Sequence, residues 1–154
     1  LHLTEVYQIY PTERECIIFL EKMRWDGLPR CPYCKSHRST FLTKEGRHHC
    51  NGCNVSYSVT VGTVFHRTHL PLQKWFLAAS LIIGNEQDIP IRQLACDLQV
   101  AKNTASYIFA RISRALYRSD QRQLLQDISC RTSDLIVLAI EQRTETTTWQ
   151  TWQR

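Results

Sequence analysis

Two cysteine pairs, Cys31-x2-Cys34 and Cys50-x2-Cys53, stand fifteen residues apart in this chain. Each pair can offer two sulfurs to one ion from a single tight turn, and two such turns complete a tetrahedron. The spacing therefore predicts one structural Zn2+ held by four thiolates. Four sulfurs leave no open position for a catalytic water. The intervening segment is long enough for a β-hairpin that brings the pairs together. Gly52 and Asn54 suit the second turn, whereas Lys35 stands in the first where glycine is common. So short a segment buries little core, and metal binding contributes roughly 10–16 kcal/mol in comparable small domains. Lys35, Arg38 and Arg47 would partly offset the formal charge of the thiolate cluster.

Two alternatives stand beside this. The cysteines could be reduced and unliganded, or His48 or His49 could replace one of them. Strand alternation puts these two histidines on opposite faces, so one could approach the metal. With four thiols present, one histidine is expected to pack and the other to meet solvent or phosphate. The three remaining cysteines, Cys16, Cys96 and Cys130, sit among apolar neighbours and read as small buried hydrophobes.

The length, 154 residues, suits one ordinary domain or two very small ones. Hydrophobic residues at 43% and charged residues at 21% indicate a packed globular protein. The longest apolar runs are too short to span a bilayer, and nothing at the start reads as a signal peptide. A cytoplasmic, nucleoid-associated protein with no membrane partner is expected. The first residue is Leu rather than Met, as in a trimmed chain or fragment.

Charge is uneven. Residues 30–55 hold Arg30, Lys35, Arg38, Lys44 and Arg47 against Glu45 alone. Residues 91–122 hold six basic residues against Asp97 and Asp120. Two basic segments point to a polyanion, although solvated surfaces would also explain them.

The pattern predicts an α+β protein: a small zinc-ribbon β-hairpin module flanked by helices, then a helix-turn-helix helical domain. The expected units are an N-terminal helix over 1–26, a zinc ribbon over 27–69, a helical domain over 70–118, and a short, partly disordered C-terminal segment over 119–154. Thr12 and Glu15 have capping-box spacing. Cys16, Phe19, Leu20 and Met23 then mark one helix face. Strand candidates are 40–43, 47–50 and 55–61. Leu70-Pro71 opens a second helix with Trp75, Phe76, Ala79 and Ile83 inward. A short helix is expected after Asp120, and residues 135–140 fit either a strand or a buried helical turn.

Residues 91–112 place two inward apolar stripes on either side of Gln99-Val100-Ala101. Leu94, Ala95, Leu98, Val100, Ala105 and Ile108 supply the seam. This matches a helix-turn-helix, whose second helix enters the major groove. That helix presents Lys102, Asn103, Thr104, Ser106 and Tyr107. Asn can pair with adenine and Lys can reach guanine. Arg111 and Arg114 lie further along and better suit phosphate. An ordinary helical hairpin with a polar face is the plainer alternative, and the usual turn glycine is absent.

Trp25-x-Gly27 before Cys31-Pro32, the run Tyr57-Ser58-Val59-Thr60, Gly62-Thr63-Val64-Phe65, and Leu70-Pro71-Leu72-Gln73-Lys74-Trp75-Phe76 carry a family resemblance. Together with 94–112, they resemble the transposase zinc-ribbon domain and the region after it in one group of bacterial insertion-sequence transposases. The resemblance covers roughly residues 12–116. It implies that an RNase-H-like core with metal-binding acids follows in such proteins. Only 117–154 remain here, and their acids are Asp120, Asp127, Asp134, Glu141 and Glu145. No catalytic residue is assigned.

The expected function is zinc-dependent binding of double-stranded DNA without cleavage by this chain alone. The helix from Lys102 would read bases, and Arg38, Lys44, Arg47 and His48 would add phosphate contacts. Whether the chain forms a homodimer is left open. The rivals are a piece of an active transposase, a stand-alone regulator derived from one, and a protein-interaction module with an exposed apolar patch involving Trp149 and Trp152.

Overall fold

The computed structural model describes the backbone of residues 1–85 and 87–151, with side chains for 1–85 and 87–142. Trp149 and Trp152 lie outside the described side chains, as does the whole polar, threonine-rich stretch from Thr144 on.

The single helix expected over 1–26 is two, of which the first, α1 (Leu3–Ile9), buries Leu3 and Val6. Pro11 separates it from α2 (Glu13–Trp25). The Thr12–Glu15 capping box is present, with the Thr12 backbone N–H donating to the Glu15 carboxylate at 2.8 Å. Asp26 ends α2 in the left-handed region at φ 47°. Cys16 and Leu20 are buried on α2, but Met23 is exposed, so the inward stripe is narrower than its periodicity implied.

Three short strands follow: β1 (Ser39–Leu42), β2 (Arg47–Cys50) and β3 (Ser56–Tyr57). They form one antiparallel sheet in the order β1-β2-β3, with Phe41 opposite His48 and His48 opposite Tyr57. The third strand stops well short of the 55–61 expected. Turn hydrogen bonds replace it: Val61 N–H donates to Ser58 O, Thr63 N–H to Thr60 O, and Gly62 takes φ 77° between them. This turning segment drives Val59, Val64 and Phe65 into the helical core.

The helical core is built around α3 (Leu72–Gly84), where Leu72, Gln73 and every residue from Trp75 to Ser80 are buried. A helix apolar around most of its circumference must be surrounded. Packed against it are α1, α2, α4 (Ile91–Leu98), α5 (Lys102–Ala115) and α6 (Ser119–Thr151). Leu94, Ala95 and Leu98 of α4 share this core with Ala105, Ile108 and Ile112 of α5.

The largest departure is α6. In place of a short helix followed by a strand or turn, one helix runs from Ser119 to Thr151 and contains residues 135–140. Gln121, Leu124, Leu125, Ile128, Thr132 and Ile136 are buried along it. This is helical spacing, broken in the sequence by polar members. Gln121 is buried because it braces the turn at 62–64. Its amide donates to Gly62 O at 3.1 Å, and its carbonyl accepts from Val64 N–H at 3.1 Å.

Of the three unpaired cysteines, Cys16 is buried, and burial pushes its thiol up. Cys96 and Cys130 are exposed on α4 and α6, contrary to expectation. Their apolar neighbours in sequence point to the other side of the helix. No helix among the described residues is long and apolar enough to cross a membrane.

Candidate functional site

The two cysteine turns fold alike. Lys35 N–H donates to Cys31 O at 3.0 Å, and Asn54 N–H donates to Cys50 O at 2.9 Å. Lys35 (φ 63°) and Asn54 (φ 60°) are both left-handed, at equivalent positions four residues past the first cysteine of each pair. Asn tolerates that conformation, whereas Lys is held there against its preference. Gly52 serves a different need from its expected role in the turn, since its φ is not positive. A Cβ there would lie 3.2 Å from Ser36 Cβ and 3.4 Å from Cys34 Sγ, so glycine lets the two turns close on each other.

The four Sγ atoms lie within 4.8 Å of one another. Cys31 and Cys53 Sγ are 3.6 Å apart, and Cys34 and Cys50 Sγ are 3.4 Å apart. Zn–S bonds of about 2.3 Å in a tetrahedron put sulfurs close to 3.8 Å apart, and a disulfide would need about 2.0 Å. The donor set therefore fits one Zn2+. Neither histidine belongs to it.

The local electrostatics favour anionic sulfur. Backbone N–H groups of the second turn, that of Cys53 foremost, bring the Cys50 thiol down to about 6. Gly52 N–H donates to Cys50 Sγ at 3.3 Å. At Cys31 burial opposes ionisation, but the N–H groups of Cys34 and Tyr33 prevail and the thiol is lowered. Cys53 is pushed up to about 12, by burial and then by its three sulfur neighbours. A dication removes that last obstacle by neutralising the cluster.

His48, expected among the phosphate contacts, faces inward instead. It is buried, stacks on Tyr57 at 5.6 Å, meets Trp25 edge-on at 5.3 Å, and lies 2.9 Å from a Glu21 carboxylate oxygen. The strand register explains this, because β2 is the middle strand and one of its faces must cover α2. His49 points the other way, 2.9 Å from Asn54 Oδ1. Arg38, Lys44 and Arg47 are all exposed on the ribbon.

A second group of predicted residues gathers on α5. Lys102, Asn103, Ser106, Tyr107 and Arg114 are exposed, while Thr104 and Arg111 are half-buried. The three-residue turn before α5 closes without glycine because Gln99 takes φ 52°. Val100 N–H then donates to Ala95 O, and Lys74 Nζ donates to Gln99 O, both at 3.0 Å. Arg111 is tied down. Its guanidinium donates to the Tyr107 hydroxyl and to His66 O, and lies over the Trp75 ring at 5.8 Å.

The described acids of the C-terminal region do not converge, and Glu145 lies outside the described side chains. Asp120, Asp127, Asp134 and Glu141 recur every seven residues along α6. That places neighbours about 10 Å apart along the axis. Among the described residues, the four cysteines are the group of three or more His, Cys, Asp or Glu side chains close enough to share an ion.

Comparison with known proteins bears on these features directly. Residues 11–56 match the model of the transposase zinc-ribbon domain. The chain is also similar to a protein of Halobacterium salinarum described as an uncharacterized protein in transposable element ISH50, at 30% identity over 110 residues. That alignment covers 70% of this chain and 37% of the halobacterial protein, so the chain spans well under half of the relative's length. No solved structure matches. Paired turns, four clustered sulfurs and the family match agree: residues 11–56 match the transposase zinc-ribbon domain and carry its four-cysteine site.

Proposed function

We propose that this chain is the DNA-recognition portion of an insertion-sequence transposase, binding double-stranded DNA through a helix-turn-helix made of α4 and α5. The observation that carries this reading is the exposed face of α5. Lys102, Asn103, Ser106, Tyr107 and Arg114 share it, while Ala105, Ile108 and Ile112 anchor the opposite face in the core. Such a helix is rigidly held yet presents donors suited to base edges and phosphates. It also starts without a side-chain cap, which leaves first-turn N–H groups available to an anion.

In this reading Zn2+ shapes the ribbon and takes no part in chemistry. The ribbon's exposed Arg38, Lys44 and Arg47 add phosphate contacts. Strand transfer, where it occurs, belongs to a longer protein that includes an acidic core. The relative's source in a transposable element supports the same placement. The chain then works in the cytoplasm at the nucleoid.

The test is binding of the zinc-loaded chain to a mixed-sequence duplex across a salt series. Support would be a steep fall in affinity, with a log–log slope near −0.9 per phosphate contacted. Replacing Arg47, one of the ribbon's phosphate contacts, by Ala should make the slope shallower by about one. No binding at low salt, with zinc in place, sinks the reading.

A further inference from the structure

Between the turn at 62–66 and the C-terminal half of α5 lies an open cleft of about 510 Å³, whose lining includes Gly62, His66, Arg111, Arg114, Arg118 and Gln121. No carboxylate lines it. Arg111, Arg114 and Arg118 recur three and four residues apart. The helical rise persists to Arg118, because Tyr117 N–H donates to Arg114 O and Arg118 N–H to Ala115 O. One wall is thus a ladder of guanidinium groups.

The three arginines are not equivalent. Arg111 spans the cleft, from Tyr107 on α5 to the His66 carbonyl on the opposite wall. Arg114 uses only Nε on the Ala110 carbonyl, at 3.2 Å, which leaves its two outer nitrogens without a partner among the described residues. Arg118 meets Asp120 at 3.3 Å, and the same carboxylate oxygen accepts from Gln121 Nε2 at 3.1 Å; both side chains of the ion pair are well exposed (67% and 58%), so that pair is weak and Arg118 can turn to a stronger anion. Neighbouring like charges with unspent planar donors suit a phosphate, which accepts two parallel N–H bonds.

We infer that this cleft is a clamp for backbone phosphate of the bound duplex, resting on the DNA-binding reading above. Arg114 and Arg118 are the phosphate ligands. Arg111 is a positioning residue that fixes the turn after the ribbon against α5. The clamp seats the duplex backbone at the C-terminal half of α5 and leaves its first turns to the bases.

The experiment compares the full zinc-loaded chain with two charge-matched double variants, R114Q/R118Q and K22Q/R131Q. The second pair lines the groove between α2 and α6 instead. Helicity and zinc content are checked first for each. Loss of two phosphate contacts predicts a salt slope shallower by about two units for R114Q/R118Q, uniformly across duplex sequences. K22Q/R131Q should stay close to the parent. Arg111→Lys keeps the charge but not the bridge, and should weaken binding several-fold with little change in slope. If the parent binds duplex steeply and R114Q/R118Q matches it, the clamp is wrong and the DNA reading survives. If both pairs flatten the slope equally, a diffuse field replaces the clamp. Failure of the parent to bind removes both, and tighter binding of an acidic peptide than of duplex at equal salt would assign the cleft to a protein partner instead.

Discussion

The ribbon and the helical body solve the same folding problem with different means. The body buries Trp75, Phe76, Leu77, Leu125 and Ile128 in one apolar cluster fed by every helix. The ribbon's own cluster consists of Cys31, Cys50 and Tyr57, with Trp25, Cys53 and Val61 half-buried beside it. Three strands of two to four residues cannot remove enough apolar surface from water to offset the entropy of ordering them. The ion supplies the difference. A metal-held module is therefore set by a few ligands at fixed spacing, and a core-held module by many weak contacts.

The sharpest way to break this contrast is to remove the metal. Chelation should unfold the ribbon, with a loss of roughly 10–16 kcal/mol of binding free energy, while most far-UV helical signal persists. Cooperative collapse of the whole chain would show the two regions to be one unit. The pH dependence has a definite sign. Cys50, lowered to about 6 in the fold from an ordinary value of 9.0, contributes in full above the ordinary value and loses its contribution as pH falls through about 6. Acidification through that range should therefore promote zinc release. Because Cys53 is pushed up to about 12, zinc uptake at neutral pH must also expel protons, measurable by calorimetry in buffers of different ionisation enthalpy.

The converse experiment targets the body. Phe76→Ala removes a fully buried ring and should cost about 3–5 kcal/mol in denaturant unfolding. Cobalt substituted for zinc should still give a tetrahedral thiolate spectrum in the folded variant. A changed spectrum would mean that the core shapes the metal site.

The seam between the regions comes next. His48→Ala removes the Tyr57 stack and the Glu21 contact, and should cost about 1–3 kcal/mol. Zinc affinity should change little, since His48 is no ligand. A double-mutant cycle with Glu21→Gln would show how much of the loss belongs to that pair.

The smallest effect expected is a gain. Gln99 occupies the left-handed region at the turn before α5, where glycine carries no steric penalty. Gln99→Gly should stabilise the body by up to about 1 kcal/mol, offset in part by the freedom glycine gains when unfolded. A lower denaturation midpoint would show that the Gln99 side chain contributes contacts worth more than its strain.

Legibility divides along the same line as the folding. The four zinc ligands could be read from spacing, because metal chemistry demands particular atoms and the chain keeps each pair within one turn. The capping box at Thr12 and the apolar stripes of α3, α4 and α5 were equally local signals. The α6 helix was obscured although its spacing was present, because Gln121 and Thr132 interrupt an otherwise apolar stripe. Gln121 earns its buried position only from the turn at 62–64, fifty-odd residues away in sequence.

By itself, then, the sequence determined the metal, its ligands, the α+β class and most helix faces, all of them matters of a few neighbouring residues. Tertiary structure alone decided which histidine faces inward, that Cys96 and Cys130 lie at the surface, that Arg111 is bound across a cleft, and that Arg118 lies beside it. Those outcomes depend on how separate elements meet, and no local pattern encodes the partner across a long loop.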